Sequence, residues 1–160
     1  MPLSAVAIRR SLSNDAVEHL PQRPACCVRP QDSVAHAVQC MAALGVSCAM
    51  VVDNGKLAGI FTERDFVGRV VAKGVDAAVA VADVMTPKVC TVASGASVLD
   101  VIALMHRSGC RHVPVIDPDG NPRGVLTVKD VIHCLVEYFP AKVYNLPPTP
   151  ELAQPAREGA

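Results

Sequence analysis

The feature that most constrains this chain is that it repeats itself. Displaced by 64 positions, Cys26 falls on Cys90, Val28 on Val92, Ser33 and Val34 on Ser97 and Val98, Met41 on Met105, Gly45 on Gly109, Val51 on Val115 and Asp53 on Asp117. One further residue then enters the second copy, in the turn Asp117-Pro118-Asp119-Gly120. At a displacement of 65, Gly55 falls on Gly120, Gly59 on Gly124, Thr62 on Thr127 and Asp65 on Asp130. A single insertion in a turn is what a duplicated fold tolerates best, and a period of this kind has to be read before any local pattern.

Each copy predicts the same elements. A short strand (25–28; 89–92) leads to a serine suited to cap a helix. An amphipathic helix follows, with Val34, Val38 and Met41 or Val98, Ile102 and Met105 on one face, and Gly45 or Gly109 closes it. An apolar run (48–52; 113–116) and a second strand (57–61; 124–126) follow, joined by an Asp/Gly turn. A second helix (63–72; 128–138) ends the unit. A β-α-β-β-α unit of about fifty residues is too small to bury a good core alone, so the two copies are expected to pair as an α/β fold.

Half of the 160 residues are apolar (51%) but only 3% are aromatic, so the core has to come from Val, Ala, Leu, Ile and Met. Lys and Arg number 15, as do Asp and Glu. That balance, with few rings to stack on bases, argues against a nucleic-acid surface. No run approaches a membrane span. Residues 1–13 have some of the composition of an import leader, ended by Asp15 and Glu18, and lack a secretory pattern. The seven cysteines show no Cys-x-x-Cys spacing, and reduced thiols in a cytoplasm are expected.

Two segments carry a resemblance. Gly59-Ile60-Phe61-Thr62-Glu63-Arg64-Asp65 and Gly124-Val125-Leu126-Thr127-Val128-Lys129-Asp130 resemble the Gly-apolar-apolar-Thr/Ser-x-x-Asp signature of CBS domains. Arg111-His112-Val113-Pro114-Val115 is similar to the strand that precedes it, and Asp83-Val84-Met85-Thr86-Pro87 to the segment that leads into such a domain. Over residues 14–138 the chain looks like a small stand-alone bacterial CBS pair. The resemblance implies two CBS repeats with pseudo-twofold symmetry forming one Bateman module. Its expected parts are an N-terminal segment and helix (1–22), repeat 1 (23–73), a linker (74–82), repeat 2 (83–138) and a Pro-rich tail (139–160). It implies a homodimer, an adenine nucleotide (AMP, ADP or ATP) as regulatory ligand, an effector protein that reads the bound state, and no catalysis.

The motif's chemistry fits a nucleoside. A short carboxylate accepts from both ribose hydroxyls, while a Thr hydroxyl and free helical N–H groups offer donors to phosphate. Gly59 and Gly124 are expected to leave room for a base. Thr-x-x-Asp is equally a capping-box variant, so a ligand-free dimerisation scaffold stands beside the sensor reading, as do S-adenosylmethionine or NAD-type ligands. The resemblance implies sites shared across the pair: Asp65 and Thr62 with Met85, Thr86, Cys90, Cys110 and Arg111, and Asp130 and Thr127 with Cys26, Val46 and Ser47. Ile60 and Val125 would flank adenine. Arg64, Lys129 and Arg111 are phosphate candidates. Residues 20–24 depart from the better lead-in at 84–88, which favours the Asp65 site. His106, Cys110, His112, His133 and Cys134 match no common zinc spacing, no nucleophile motif is present, and the free thiols leave redox sensing open. Residues 139–148 are apolar enough to be expected to pack on the module or a partner subunit.

Overall fold

A computed structural model describes residues 5–20 and 25–138; the expectations for residues 21–24 and for the tail lie outside them. The order is α1 (Ala5–Asn14), a 3-10 turn (Val17–His19), β1 (Cys26–Val28), α2 (Val34–Leu44), β2 (Cys48–Asp53), β3 (Lys56–Thr62), α3 (Glu63–Asp65, continued by a π turn over Phe66–Val71), α4 (Val81–Val84), β4 (Val92–Ala93), α5 (Val98–Ser108), β5 (His112–Ile116), β6 (Pro122–Thr127) and α6 (Val128–Tyr138).

The strands form two three-stranded sheets, β1-β2-β3 and β4-β5-β6. In each, the first strand runs parallel to the second and the second antiparallel to the third. Both antiparallel pairs shift register at the equivalent place, after Val51 and after Val115. The two α/β units are thus built to one plan. Ser33 and Ser97 cap α2 and α5 by accepting from His36 and Asp100 N–H groups, and Gly45 and Gly109 take the left-handed conformation that ends each helix (φ 63° and 69°). A residue with a Cβ is disfavoured there.

The lead-in segments are exchanged between repeats. Val17, which precedes repeat 1 in sequence, is fully buried in the core of repeat 2 with Val92, Val101 and Leu126. Its N–H donates to Ala96 O at 2.8 Å, and Val98 N–H donates to Asp15 O at 3.0 Å. The matching Val81 and Val84 lie in the core of repeat 1 with Val34, Met41 and Phe61. Val81 N–H donates to Asp32 O, and the head of α2 donates to Val79 O and Ala77 O. The stretch expected to be a linker, residues 74–82, therefore packs on repeat 1 with Val75, Ala77 and Val79.

Two elements differ from their sequence-based expectations. The strand expected at 89–92 is only Val92–Ala93. Upstream, Thr86 is bonded to Ile60 of the other repeat in both directions, at 2.8 and 3.0 Å, so the chain has to bend through Pro87 and Lys88 before it joins its own sheet. The helix expected at 63–72 is α-helical only to Asp65, then widens into the π turn, with Ala72 N–H donating to Val67 O at 2.9 Å and Val75 N–H to Val70 O at 2.9 Å. Gly68 and the β-branched Val67, Val70 and Val71 make this stretch a poor α-helix. Widened turns of this kind occur often at functional sites.

Between the sheets lies a seam of Cys48, Met50, Ile60 and Val125, all buried, flanked by Val52, Leu57 and Val89. Ile60 and Val125 are equivalent residues of the two repeats. At the hairpin ends, Lys56 Nζ reaches from repeat 1 to Asp119 O and Asn121 Oδ1 of repeat 2.

Candidate functional site

Both motifs fold alike. Thr62 ends β3 and Asp65 lies in the first turn of α3. The Thr62 hydroxyl oxygen accepts from Asp65 N–H at 3.2 Å, and Asp65 Oδ2 accepts from Thr62 N–H at 3.0 Å and from the Thr62 hydroxyl at 2.8 Å. Thr127 and Asp130 repeat these contacts at 3.4, 2.7 and 2.6 Å. Glu63 N–H donates to Ser47 O, and Val128 N–H donates to Arg111 O. The residue before each central strand thus fastens the head of the motif helix. The Thr hydroxyls and these helical N–H groups, read from sequence as phosphate donors, are engaged within the chain. Both carboxylates are buried, Asp65 9% and Asp130 4% exposed.

Around Asp65 the structure gathers Thr62, Met85, Thr86 and Arg69. The Thr86 hydroxyl donates to Asp65 Oδ1 at 3.3 Å. Arg69 lies 3.4 Å from the same oxygen and donates to Val84 O at 2.9 Å, Met85 O at 2.6 Å and Thr86 Oγ1 at 3.2 Å. Gly59 permits this closeness: a Cβ there would stand 2.6 Å from Met85 Sδ and 2.8 Å from Thr86 O. The space expected for a base against Gly59 is thus filled by the lead-in segment of repeat 2.

Around Asp130 the two repeats meet through side chains. Ser47 Oγ and His112 Nε2 are 2.7 Å apart, a bond from repeat 1 to repeat 2. His112 pairs with Thr127 across β5 and β6. Burial pushes its pKa down; Glu63 pulls it up, Arg64 pushes it down and Asp130 pulls it up. The Ser47–His112 bond therefore stands within the electrostatic reach of both motif helices.

The other candidates are placed as follows. Arg64, Lys129 and Arg111 are exposed. Cys26 is buried in the core of repeat 1 and Val46 packs against that core. Burial pushes the Cys26 thiol up to about 11 and the Cys48 thiol up to about 12. Cys90 and Cys110 are both half-buried, and a hydrogen bond to Cys110 raises the Cys90 thiol. Ile60 and Val125 meet in the seam. Among the described residues no three His, Cys, Asp or Glu side chains gather for a metal, and no helix is long and apolar enough to cross a membrane.

Sequence reasoning missed Arg69, and it offered His112 phosphate or backbone as its partner rather than Ser47. Arg69 stands four residues after Asp65, within reach on one helix face. Its repeat counterpart is Cys134, so a search for matched positions passes over it. Ser47 and His112 occupy inequivalent positions of the two copies, and only the fold brings them together. Two open grooves, of about 420 and 600 Å³, lie at the hairpin ends, the first lined by Leu57, Pro87, Lys88, Val89, Thr91 and Ile116 and the second by residues that include Cys27, Arg29, Asp32 and Asn54. Neither contains a motif acid.

Comparison with known proteins agrees with this architecture. The CBS-domain family model matches residues 17–72 and 81–137. A CBS domain-containing protein of Arabidopsis thaliana, CBSCBSPB3, is 30% identical over 110 residues, covering 68% of this chain but only 20% of that protein. Among solved structures, a protein with CBS domains from Burkholderia ambifaria superposes with a TM-score of 0.68 at 32% identity, over 76% of this chain and 90% of that one. Two more distant structures share the fold: a CBS domain protein of Pyrobaculum aerophilum complexed with AMP (TM-score 0.69, 21% identity, 77% of this chain and 99% of that one), and the CBS domain pair of protein MJ0100 in complex with 5-methylthioadenosine and S-adenosyl-L-methionine (0.71, 22%, 78% and 98%).

Proposed function

The chain belongs to the CBS-domain family as a tandem pair of such domains, and we propose on that premise that it is a regulatory module that binds an adenosyl ligand between its repeats and catalyses no reaction. The observation that carries this reading is the duplicated motif: a buried carboxylate in the first turn of a helix, bonded to the Thr that ends the preceding strand, in both copies. The AMP and the S-adenosylmethionine held by structures of the same fold support the ligand class. An adenine nucleotide (AMP, ADP or ATP) is the proposed ligand. Asp65 with Thr62, Met85 and Thr86 forms the first site, and Asp130 with Thr127 and Ser47 the second. Ile60 and Val125 flank the base, and the exposed Arg64, Lys129 and Arg111 meet phosphate. The family resemblance assigns Cys90 and Cys110 to the first site and Cys26 and Val46, which lie in and against the core of repeat 1, to the second.

We assign the output to a change in association or shape, because a ligand biases two states only by binding them unequally. Val67 and Ile132 are equivalent residues of the two motif helices, and both are exposed (59% and 53%), as is Val71 at 58%. Matched apolar faces of this kind support a homodimer. The test is a thermal-shift panel of AMP, ADP, ATP, S-adenosylmethionine and NADH. A ligand at 100 times its dissociation constant adds about 2.7 kcal/mol, roughly 5–10 °C for a chain of this size. No shift with any of them at millimolar concentration removes the sensor reading and leaves the capping scaffold.

A further inference from the structure

The two oxygens of the Asp65 carboxylate are held differently. Oδ2 is locked into the helix cap by the Thr62 N–H at 3.0 Å and hydroxyl at 2.8 Å. Oδ1 faces the lead-in segment of the other repeat. It accepts from the Thr86 hydroxyl at 3.3 Å and lies 3.4 Å from the Arg69 guanidinium. Charge-assisted bonds of full strength close to about 2.7–2.9 Å from a guanidinium and about 2.5–2.7 Å from a hydroxyl, so both contacts are weak. Arg69 is anchored from its other side by Val84 O and Met85 O at 2.9 and 2.6 Å. Its side chain is 41% exposed against 11% for Asp65. A hydroxyl arriving at Oδ1 therefore replaces two long contacts and leaves the cap intact.

We propose that Arg69 and Thr86 are built-in competitors for ribose, occupying the one motif oxygen not committed to the helix cap and so setting how strongly the first site discriminates a ribose from a sugar without hydroxyls. This rests on the first motif binding an adenosyl ligand. A ribose has to displace the Arg69 and Thr86 contacts from Oδ1, whereas a 2′,3′-dideoxyribose leaves them in place. The second repeat carries Cys134 where the first has Arg69, so no guanidinium stands at the equivalent position there.

The test compares AMP with 2′,3′-dideoxy-AMP on the full chain by methyl NMR. The chain has 5 methionines, and the Met85 methyl lies beside Gly59, so its resonance, assigned with Met85→Leu, reports the first site alone. The readout is the ratio of the two dissociation constants. Arg69→Met is expected to raise the preference for AMP at least threefold over wild type, and Thr86→Val to act in the same direction; it decides the matter should Arg69→Met not fold. A residue that only braces the site would change both affinities by one factor and leave the ratio as it was. An unchanged or lowered ratio overturns the proposal. A Met85 methyl that does not move with millimolar AMP in wild type overturns the nucleotide reading of this site and the competition with it, a failure visible before any substitution is made.

Discussion

Gly59→Ala tests the packing that joins the motif to the other repeat. The added Cβ would stand 2.6 Å from Met85 Sδ and 2.8 Å from Thr86 O. The thioether can swing aside; the carbonyl belongs to backbone bonded to Ile60 in both directions, at 2.8 and 3.0 Å. Overpacking of this kind costs about 1–3 kcal/mol, and loss of the two backbone bonds adds about 1–2 kcal/mol. The smaller unfolded-state entropy of alanine returns about 0.4–1 kcal/mol. The net loss is about 1–5 kcal/mol, which at roughly 2–4 °C per kcal/mol lowers Tm by about 2–18 °C. Thermal and urea unfolding followed by circular dichroism measure it. Gly68→Ala is the control, because no atom lies within 4 Å of its would-be Cβ and alanine is the better helical residue. A Gly59→Ala protein as stable as wild type would refute the reasoning, since it would mean that the lead-in segment is not held against β3.

Val17→Ala should destabilise repeat 2, although Val17 precedes repeat 1, by about 1–3 kcal/mol for deleting a fully buried side chain; hydrogen exchange of β5 and β6 would show it, and an effect confined to repeat 1 would contradict the exchanged lead-in. Burial holds the His112 pKa below its ordinary 6.5, so between those two values the unfolded chain binds more protons than the folded one. Stability should therefore fall as pH drops through 6.5 toward the lowered pKa, and His112→Gln should flatten that part of a urea-midpoint profile. With its thiol at about 12 instead of 9.0, Cys48 has far less thiolate at pH 8 in the folded protein, and it should react with iodoacetamide at least tenfold more slowly there than in the unfolded chain. Mass spectrometry of quenched samples gives both rates, and equal rates would refute its burial.

Much of the fold is legible in the sequence because the duplication doubles every signal. Ser33 with Ser97 and Gly45 with Gly109 mark helix starts and stops by local backbone chemistry, and local chemistry survives folding. The features that escaped the sequence are those that break the repeat or depend on distant chain. The strand before Val92 is short because Thr86 is tied to Ile60, far along the sequence. The motif helix of repeat 1 widens after Asp65 although its counterpart α6 runs from Val128 to Tyr138. At the candidate site, Thr62 with Asp65 and Thr127 with Asp130 are readable from spacing alone. Arg69 is not, because its partners are carbonyls of Val84 and Met85 on the other lead-in. Nor is the Ser47–His112 bond, which pairs inequivalent positions across the seam.

The measurement that bears most directly on the central claim is calorimetric titration of AMP into wild type, Asp65→Ala, Asp130→Ala and the double variant, with Tm recorded for each. Each substitution removes the capping-box carboxylate and leaves the Thr that caps the helix in place, at about 1 kcal/mol per motif, so all three variants should remain folded at the titration temperature. The account predicts saturable binding to wild type, weakened or reduced in stoichiometry by at least one single substitution and absent from the folded double variant. Binding of undiminished affinity and stoichiometry to the double variant would place the ligand away from the motif carboxylates and contradict the account.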